Sequence, residues 1–180
     1  KKNEITIKFF FFFFYNYGYI KGRIQMDTSM SLVNFKISDE IYGINIMEVR
    51  EIIRYTEITP IPNSPDFVDG VITIRGEIIP IVDLGKRFHF EPVSFTEDEE
   101  LLRGVIVIIV EDMTIGILID QVNRVITINS SVIQPPPQMI SGIGSEYIQG
   151  VVKLEENLLV ILNINKLFNK RELMQLSGRY

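Results

Sequence analysis

Gly70-Val71-Ile72-Thr73-Ile74-Arg75-Gly76-Glu77-Ile78-Ile79-Pro80-Ile81-Val82-Asp83-Leu84-Gly85-Lys86-Arg87-Phe88 reads as two apolar runs around a polar turn, closing on Lys86 and Phe88. Eighty residues on it recurs as Gly150-Val151-Val152-Lys153-Leu154-Glu155-Glu156-Asn157-Leu158-Leu159-Val160-Ile161-Leu162-Asn163-Ile164-Asn165-Lys166-Leu167-Phe168. The copies share pattern more than identity, as a duplicated structural unit does. A second correspondence, at a shift of 73, sets Gly43-Ile44, Ile46, Val49 and Ile52-Ile53 on Gly116-Ile117, Ile119, Val122 and Val125-Ile126.

Around these stretches the chain alternates short apolar runs with turn residues, the spacing of a small all-β protein. Strands are expected at 32–37, 42–46, 70–74, 78–84, 104–110, 115–119, 148–154 and 158–164, with shorter pieces at 57–59 and 125–128. Helix is expected only at 47–54, 84–88 and 165–176. Ile occurs 31 times, Val 15 times and Ala not at all, which favours strands over helices. The expected fold is mainly β: two pseudo-equivalent five-stranded β-barrels packed together, with short helices including one at the C-terminus. Each small sheet would bury its interior and remove its edges by closing. The approximate halves are 31–95 and 101–165 of one domain spanning 31–175, with exchange of strands between them allowed for. No flexible linker separates them, so a rigid body with a groove between its halves is expected.

Residues 1–30 differ in kind. Six consecutive Phe (Phe9 to Phe14) and Tyr15, Tyr17 and Tyr19 place 9 of the 19 aromatics within eleven positions, a low-complexity segment expected to lie outside the fold. Asn16 and Gly18 interrupt the run well short of the about 20 apolar residues of a membrane-crossing helix. It lacks the small-residue cleavage site of an exported leader. Met26 and Met30 stand just before the first regular alternation, where the functional chain is expected to start.

Lys plus Arg number 18 against 23 Asp plus Glu, a net charge of -5 that argues against a surface for nucleic-acid phosphates. With no Cys and one His, thiolate nucleophiles, thiolate zinc sites and Ser-His relays lose their parts. His89, between Phe88 and Phe90, has no second His or Cys to share a metal and is read as a surface or rim residue. Glu97 to Glu100 is read as a solvated turn, and Pro135-Pro136-Pro137 as a rigid connector. No Gly-rich turn leads into a Lys-Ser or Lys-Thr pair, so nucleotide binding has no motif behind it.

What remains resembles a binding surface. Arg75-Gly76-Glu77 forms a turn tip that pushes a guanidinium into solvent, and the second unit has Glu155 where the first has Arg75. The repeat itself does not demand the Arg, which can offer a donor fork to a partner. Ile52 and Ile53 are read as core. Val49 and Val122, if they line the junction between the barrels, form an apolar strip for a helix, with Glu51 as polar rim.

Tyr42-Gly43-Ile44-Asn45-Ile46, Val49-Arg50-Glu51-Ile52, Pro62-Asn63-Ser64-Pro65 and the run from Phe67 to Leu84 resemble the CheW chemotaxis coupling family. Ile115 to Asp120, Ile133 to Pro137 and Tyr147 to Val151 extend the likeness, which covers roughly 32–173. The resemblance implies two intertwined five-stranded barrels and a cytoplasmic, non-catalytic adaptor at the inner face of the membrane, without cofactor. Its implied partners are the cytoplasmic tips of methyl-accepting chemoreceptors and the regulatory domain of the histidine kinase CheA, in extended signalling arrays. Carried over by position, Val49, Glu51, Arg75, Gly116, Val122 and Val125 match the receptor-binding region, and Asp69, Gly70 and Ile72 the kinase-binding region. A barrel binding a nucleotide or other small metabolite is the alternative, and a deep pocket with convergent polar groups would favour it.

Overall fold

In the computed structural model, residues 29–136, 144–155 and 157–177 are described. Ten strands form two five-stranded sheets. In chain order they are β1 (Ser29–Ile37), β2 (Glu40–Asn45), β3 (Val49–Arg54), β4 (Val68–Ile74), β5 (Glu77–Asp83), β6 (Gly104–Val110), β7 (Met113–Ile119), β8 (Gln121–Asn129), β9 (Ile148–Leu154) and β10 (Asn157–Leu162). The first sheet runs β8-β1-β2-β10-β9 and the second β3-β6-β7-β5-β4. Replacing each strand of the first five by its counterpart in the second five, and the reverse, turns one order into the other. Each sheet therefore draws two strands from one half of the chain and three from the other. Among the described residues the parallel pairs are β2 with β10 (Tyr42 opposite Val160) and β5 with β7 (Val82 opposite Ile117), at equivalent places in the two sheets.

Both faces of each sheet are covered, which explains the unbroken apolar runs. On β6, Ile106, Ile108 and Val110 face a large core shared by the two sheets, together with Val33, Phe35, Tyr42, Ile115, Ile117 and Leu162. Val105 and Val107 face the opposite way, into a separate cluster with Ile72, Ile79, Ile81 and Leu118. The first sheet has its own counterpart, Leu32, Ile128, Val152, Leu159 and Ile161.

The expectation of two packed five-stranded units holds, but closure does not. The hydrogen-bonded ladders leave β8 and β9, and likewise β3 and β4, unpaired with each other. Two of these edges, on β4 and β9, are met by the connections that precede them, through single bridges Thr59 to Val71 and Gln134 to Val151, again 80 residues apart on the strand side.

Four hairpins share one turn solution. The two-residue connections open with Ser38, Arg75, Glu111 and Glu155, all at positive φ between 44° and 54°. Positive φ at the first central residue matches the right-handed twist of the flanking strands.

Several local expectations are corrected. Residues 47–54 do not form a helix: a 3-10 turn (Ile46–Glu48), capped by the Asn45 side chain on the Met47 N–H, leads into β3. The β-branched Val49, Ile52 and Ile53 pair along β6, and that pairing overrides the helical spacing. The piece at 57–59 reduces to the Thr59 bridge, while 125–128 is the middle of the nine-residue β8. Ser29 and Met30, placed in the head by sequence, open β1 opposite Asn129 and Ile128; the rest of the head lies outside the described residues. The acidic stretch forms one helical turn, α2 (Glu97–Glu100), with a Thr96/Glu99 capping box, and all four acids are exposed. The other helices are α1 (Leu84–Arg87) and α3 (Lys170–Leu176).

Candidate functional site

The Arg75-Gly76 turn holds both residues at positive φ, 49° and 83°, and throws the Arg75 side chain outward with 71% of its area exposed. One of its terminal nitrogens reaches Glu51 Oε2 at 3.3 Å, leaving the rest of the fork for solvent or a partner. Glu51 is held more firmly, at 20% side-chain exposure on β3. Beside this pair β3 carries a bulge, its register shifting between Val49 and Glu51. Such an extra residue re-aims a side chain. Arg50, at the bulge, crosses to Glu77 Oε2 at 2.9 Å and Thr114 Oγ1 at 3.0 Å. Hydrogen bonding in the Thr114 and Arg50 cluster holds the Glu77 carboxyl below its ordinary value. The result is two ion pairs, Arg75 with Glu51 and Arg50 with Glu77, at one end of the second sheet; Met47, just before β3, and Ile78, next to Glu77 in the chain, are also exposed.

Of the residues matched to receptor binding, the structure thus brings Glu51 and Arg75 together, with Val49 on the same strand. Val49 is half-buried and packs on the shared core from its rim. Val122 does the same from β8, but it does not sit beside Val49. It lies against Gly104, opposite Arg54 at the far end of β3, whereas Val49 pairs with Ile108. Val125 is exposed at 41% on the same edge strand as Val122. Gly116 is interior: a Cβ there would stand 2.4 Å from Ile81 Cδ1 and 2.8 Å from Val105 Cγ1, so its contribution is to packing beneath the surface.

The residues matched to kinase binding lie on β4. Asp69 is paired with Lys86 of α1 at 2.6 Å, and hydrogen bonding to Asp69 raises the Lys86 pKa. Asp83 caps α1 from the same neighbourhood. Burial raises its pKa, helped by the Asp69 charge and opposed by its hydrogen bond from the Lys86 N–H. Gly70 sits at φ 147° where β4 shifts register, and a Cβ there would lie 2.1 Å from the Thr59 carbonyl oxygen. Ile72 is buried in the second sheet's own cluster, with Ile79, Ile81, Val105, Val107 and Leu118. Asp69 is therefore the member of this set that has a charged atom to offer, while Gly70 and Ile72 shape the strand beneath it.

Arg50, Glu77, Thr114, Met47 and Ile78 were not singled out from sequence. Parity does not signal the exposure of Ile78, since Pro80 and Val82 on its own face of β5 are buried, and nothing in the spacing signals the Arg50 bulge. His89 is exposed at φ 60°. Among the described residues no group of three or more His, Asp or Glu could hold a metal ion, and no helix is long and apolar enough to cross a membrane. The hollow walled by Lys36, Phe95, Glu99, Asp120 and Gln121 holds about 130 Å³, and that beside Pro62, Ser64, Pro80 and Leu176 about 60 Å³. Ligand pockets run to roughly 300–1,000 Å³.

Residues 31–172 match the family model described as a CheW-like domain. The chain is 44% identical over 152 residues to the chemotaxis protein CheW of Treponema pallidum, covering 84% of this chain and 89% of that one. It is 36% identical over 139 residues to the chemotaxis protein CheW of Klebsiella aerogenes, covering 77% and 81%. The crystal structure of the scaffolding protein TtCheW from Thermoanaerobacter tengcongensis superposes with a TM-score of 0.73 at 28% identity, over 85% of this chain and 96% of that one.

Proposed function

The chain belongs to the CheW-like family of non-catalytic chemotaxis scaffolds, and from that premise we propose that it couples the cytoplasmic helical tips of transmembrane chemoreceptors to the regulatory domain of the kinase CheA. The observation that carries this reading is the exposed Arg75 at the β4–β5 turn, paired to Glu51, with Met47 ahead of β3 and Ile78 on β5 also exposed. Exposed charged and apolar side chains together suit the face of an amphipathic helix, which supplies apolar anchors and polar rim contacts. The fold does not fix which strand carries which charge. At shifts of 80 and 73 the other half carries Glu155 and Arg124, the same two charges with their places reversed.

Asp69 and Lys86, on β4 and α1 of the second sheet, are the surface through which the kinase domain is taken to bind. Each link is modest in area and gains strength from repetition in an array at the inner face of the membrane. The chain acts by holding partners in position. Neither of the two hollows described, of about 130 and 60 Å³, has the size that would favour a metabolite.

The test is capture. The purified chain should retain a receptor cytoplasmic fragment and, separately, the kinase regulatory domain. Failure with both overturns the coupling function, and failure with one reassigns the corresponding face.

A further inference from the structure

Arg87 has no counterpart in the repeat: eighty residues on stands Leu167, fully buried in the shared core. The fold thus accommodates an apolar residue at that position, yet here it buries a guanidinium to 7% side-chain exposure. Three rings wall it in, Phe67 at 4.7 Å, Phe168 at 5.1 Å and Tyr147 at 5.3 Å from the guanidinium carbon to the centroids. Its Nε is buried without a hydrogen-bond partner among the described residues. Glu172 closes the site, taking both terminal nitrogens at 3.0 Å in a fork-to-fork pair.

That carboxylate comes from α3, a seven-residue helix too short to persist alone. Of its side chains only Leu173 is buried, with Glu172 and Leu176 half-buried, while Lys170, Arg171, Met174 and Gln175 face solvent. The hollow of about 60 Å³ beside Gln175 and Leu176 lies along its seam with residues 61–65. The helix is thus fastened at one charged point and a narrow apolar stripe.

The geometry points to α3 as a strap, and to Arg87 with Phe67, Tyr147 and Phe168 as a carboxylate socket that Glu172 occupies as the chain's own ligand. When the strap lifts, the socket is open to a carboxylate on an acidic helical segment of a partner. The aromatic walls select a flat carboxylate group over a bulky phosphate, and the bidentate fork fixes its plane.

The test uses the full chain and its Glu172→Gln variant. Gln at the third helical position can keep the capping box with Asn169 through its carbonyl oxygen, so the substitution removes the charge facing Arg87 and turns one acceptor of the fork into an NH2 donor. Hydrogen exchange of the α3 amides should rise at least about tenfold in the variant while the β6 and β7 amides are unchanged. Equal change in both, or none in α3, overturns the strap. The Arg87 Nε–H resonance, displaced by three rings in the parent, should move in the variant. It should return towards its parent position when an acetylated peptide of residues 169–177 is added in excess. The same peptide with Gln at its fourth position should leave it where it is. If the two peptides act alike, or neither acts, the socket is overturned.

Discussion

Arg75 is where stability and binding part company. Its ion pair with Glu51 is exposed, and such pairs contribute roughly 0–1 kcal/mol. Arg75→Ala should therefore shift the thermal midpoint by no more than about 2–4 °C. It should also weaken capture of a receptor fragment by tenfold or more. Calorimetry beside a binding titration checks both, and a large loss of stability would make Arg75 a structural residue. Asp120 is the opposite case. Burial raises its pKa although the Ser38 N–H donates to it at 2.6 Å, so ionisation costs the folded state more than the unfolded one. A carboxyl with a raised folded pKa withdraws stability as pH climbs past its unfolded value near about 3.9. Asp120→Asn retains the acceptor for Ser38 and should be the more stable protein at pH 7, with the advantage gone by about pH 3. Melts across that range decide it.

Among elements, β4 shows how a functional surface is set by backbone. Gly70 accepts φ 147° and the Thr59 carbonyl in the space a side chain would fill; Gly150, without the positive φ, likewise leaves room for Ile133 and the Gln134 carbonyl. Gly70→Ala should cost roughly 2–4 kcal/mol, lowering the midpoint by about 5–15 °C, through collision with Thr59. Loss of kinase binding in that variant should accompany the fall in midpoint, and loss without it would place Gly70 itself in the contact. The strands with continuous apolar runs were legible because burial on both faces leaves little room for polar residues. β3 was not, because Arg50 and Glu51 interrupt its apolar residues at a spacing that suits a helix. The 73-residue correspondence sets β3 on β8, whose middle reads as a strand at 125–128, and so points to the strand that the helical spacing hides. The sheet edges misled for a related reason: sequence shows how many strands there are but not that a connecting segment will cover an edge.

For the molecule as a whole, the exchange of strands removes any independent half. The first sheet needs β1 and β2 from the first half and β8, β9 and β10 from the second, and the shared core is lined from both. Unfolding should accordingly be one transition, with the sheet amides of both halves exchanging at a common slowest rate. Two separated transitions would contradict the shared core. The site was legible only in part. Arg75 is legible because the repeat departs from itself there, and Glu51 as the polar rim beside Val49; Arg87 departs from the repeat just as clearly but is buried. Gly116 could not be told from a surface glycine, since a missing side chain looks the same from sequence whether it admits a partner or a neighbouring Ile.

The connection after α1 is pinned back onto the second sheet, with the Arg103 guanidinium 4.6 Å from the rings of both Tyr55 and Phe95. Val93 and Leu101 nevertheless stand out from it into solvent. A protease that severs the backbone there frees neither fragment, because each remains threaded through both sheets. The nicked protein should elute as one species in native buffer and separate into two bands only after denaturation.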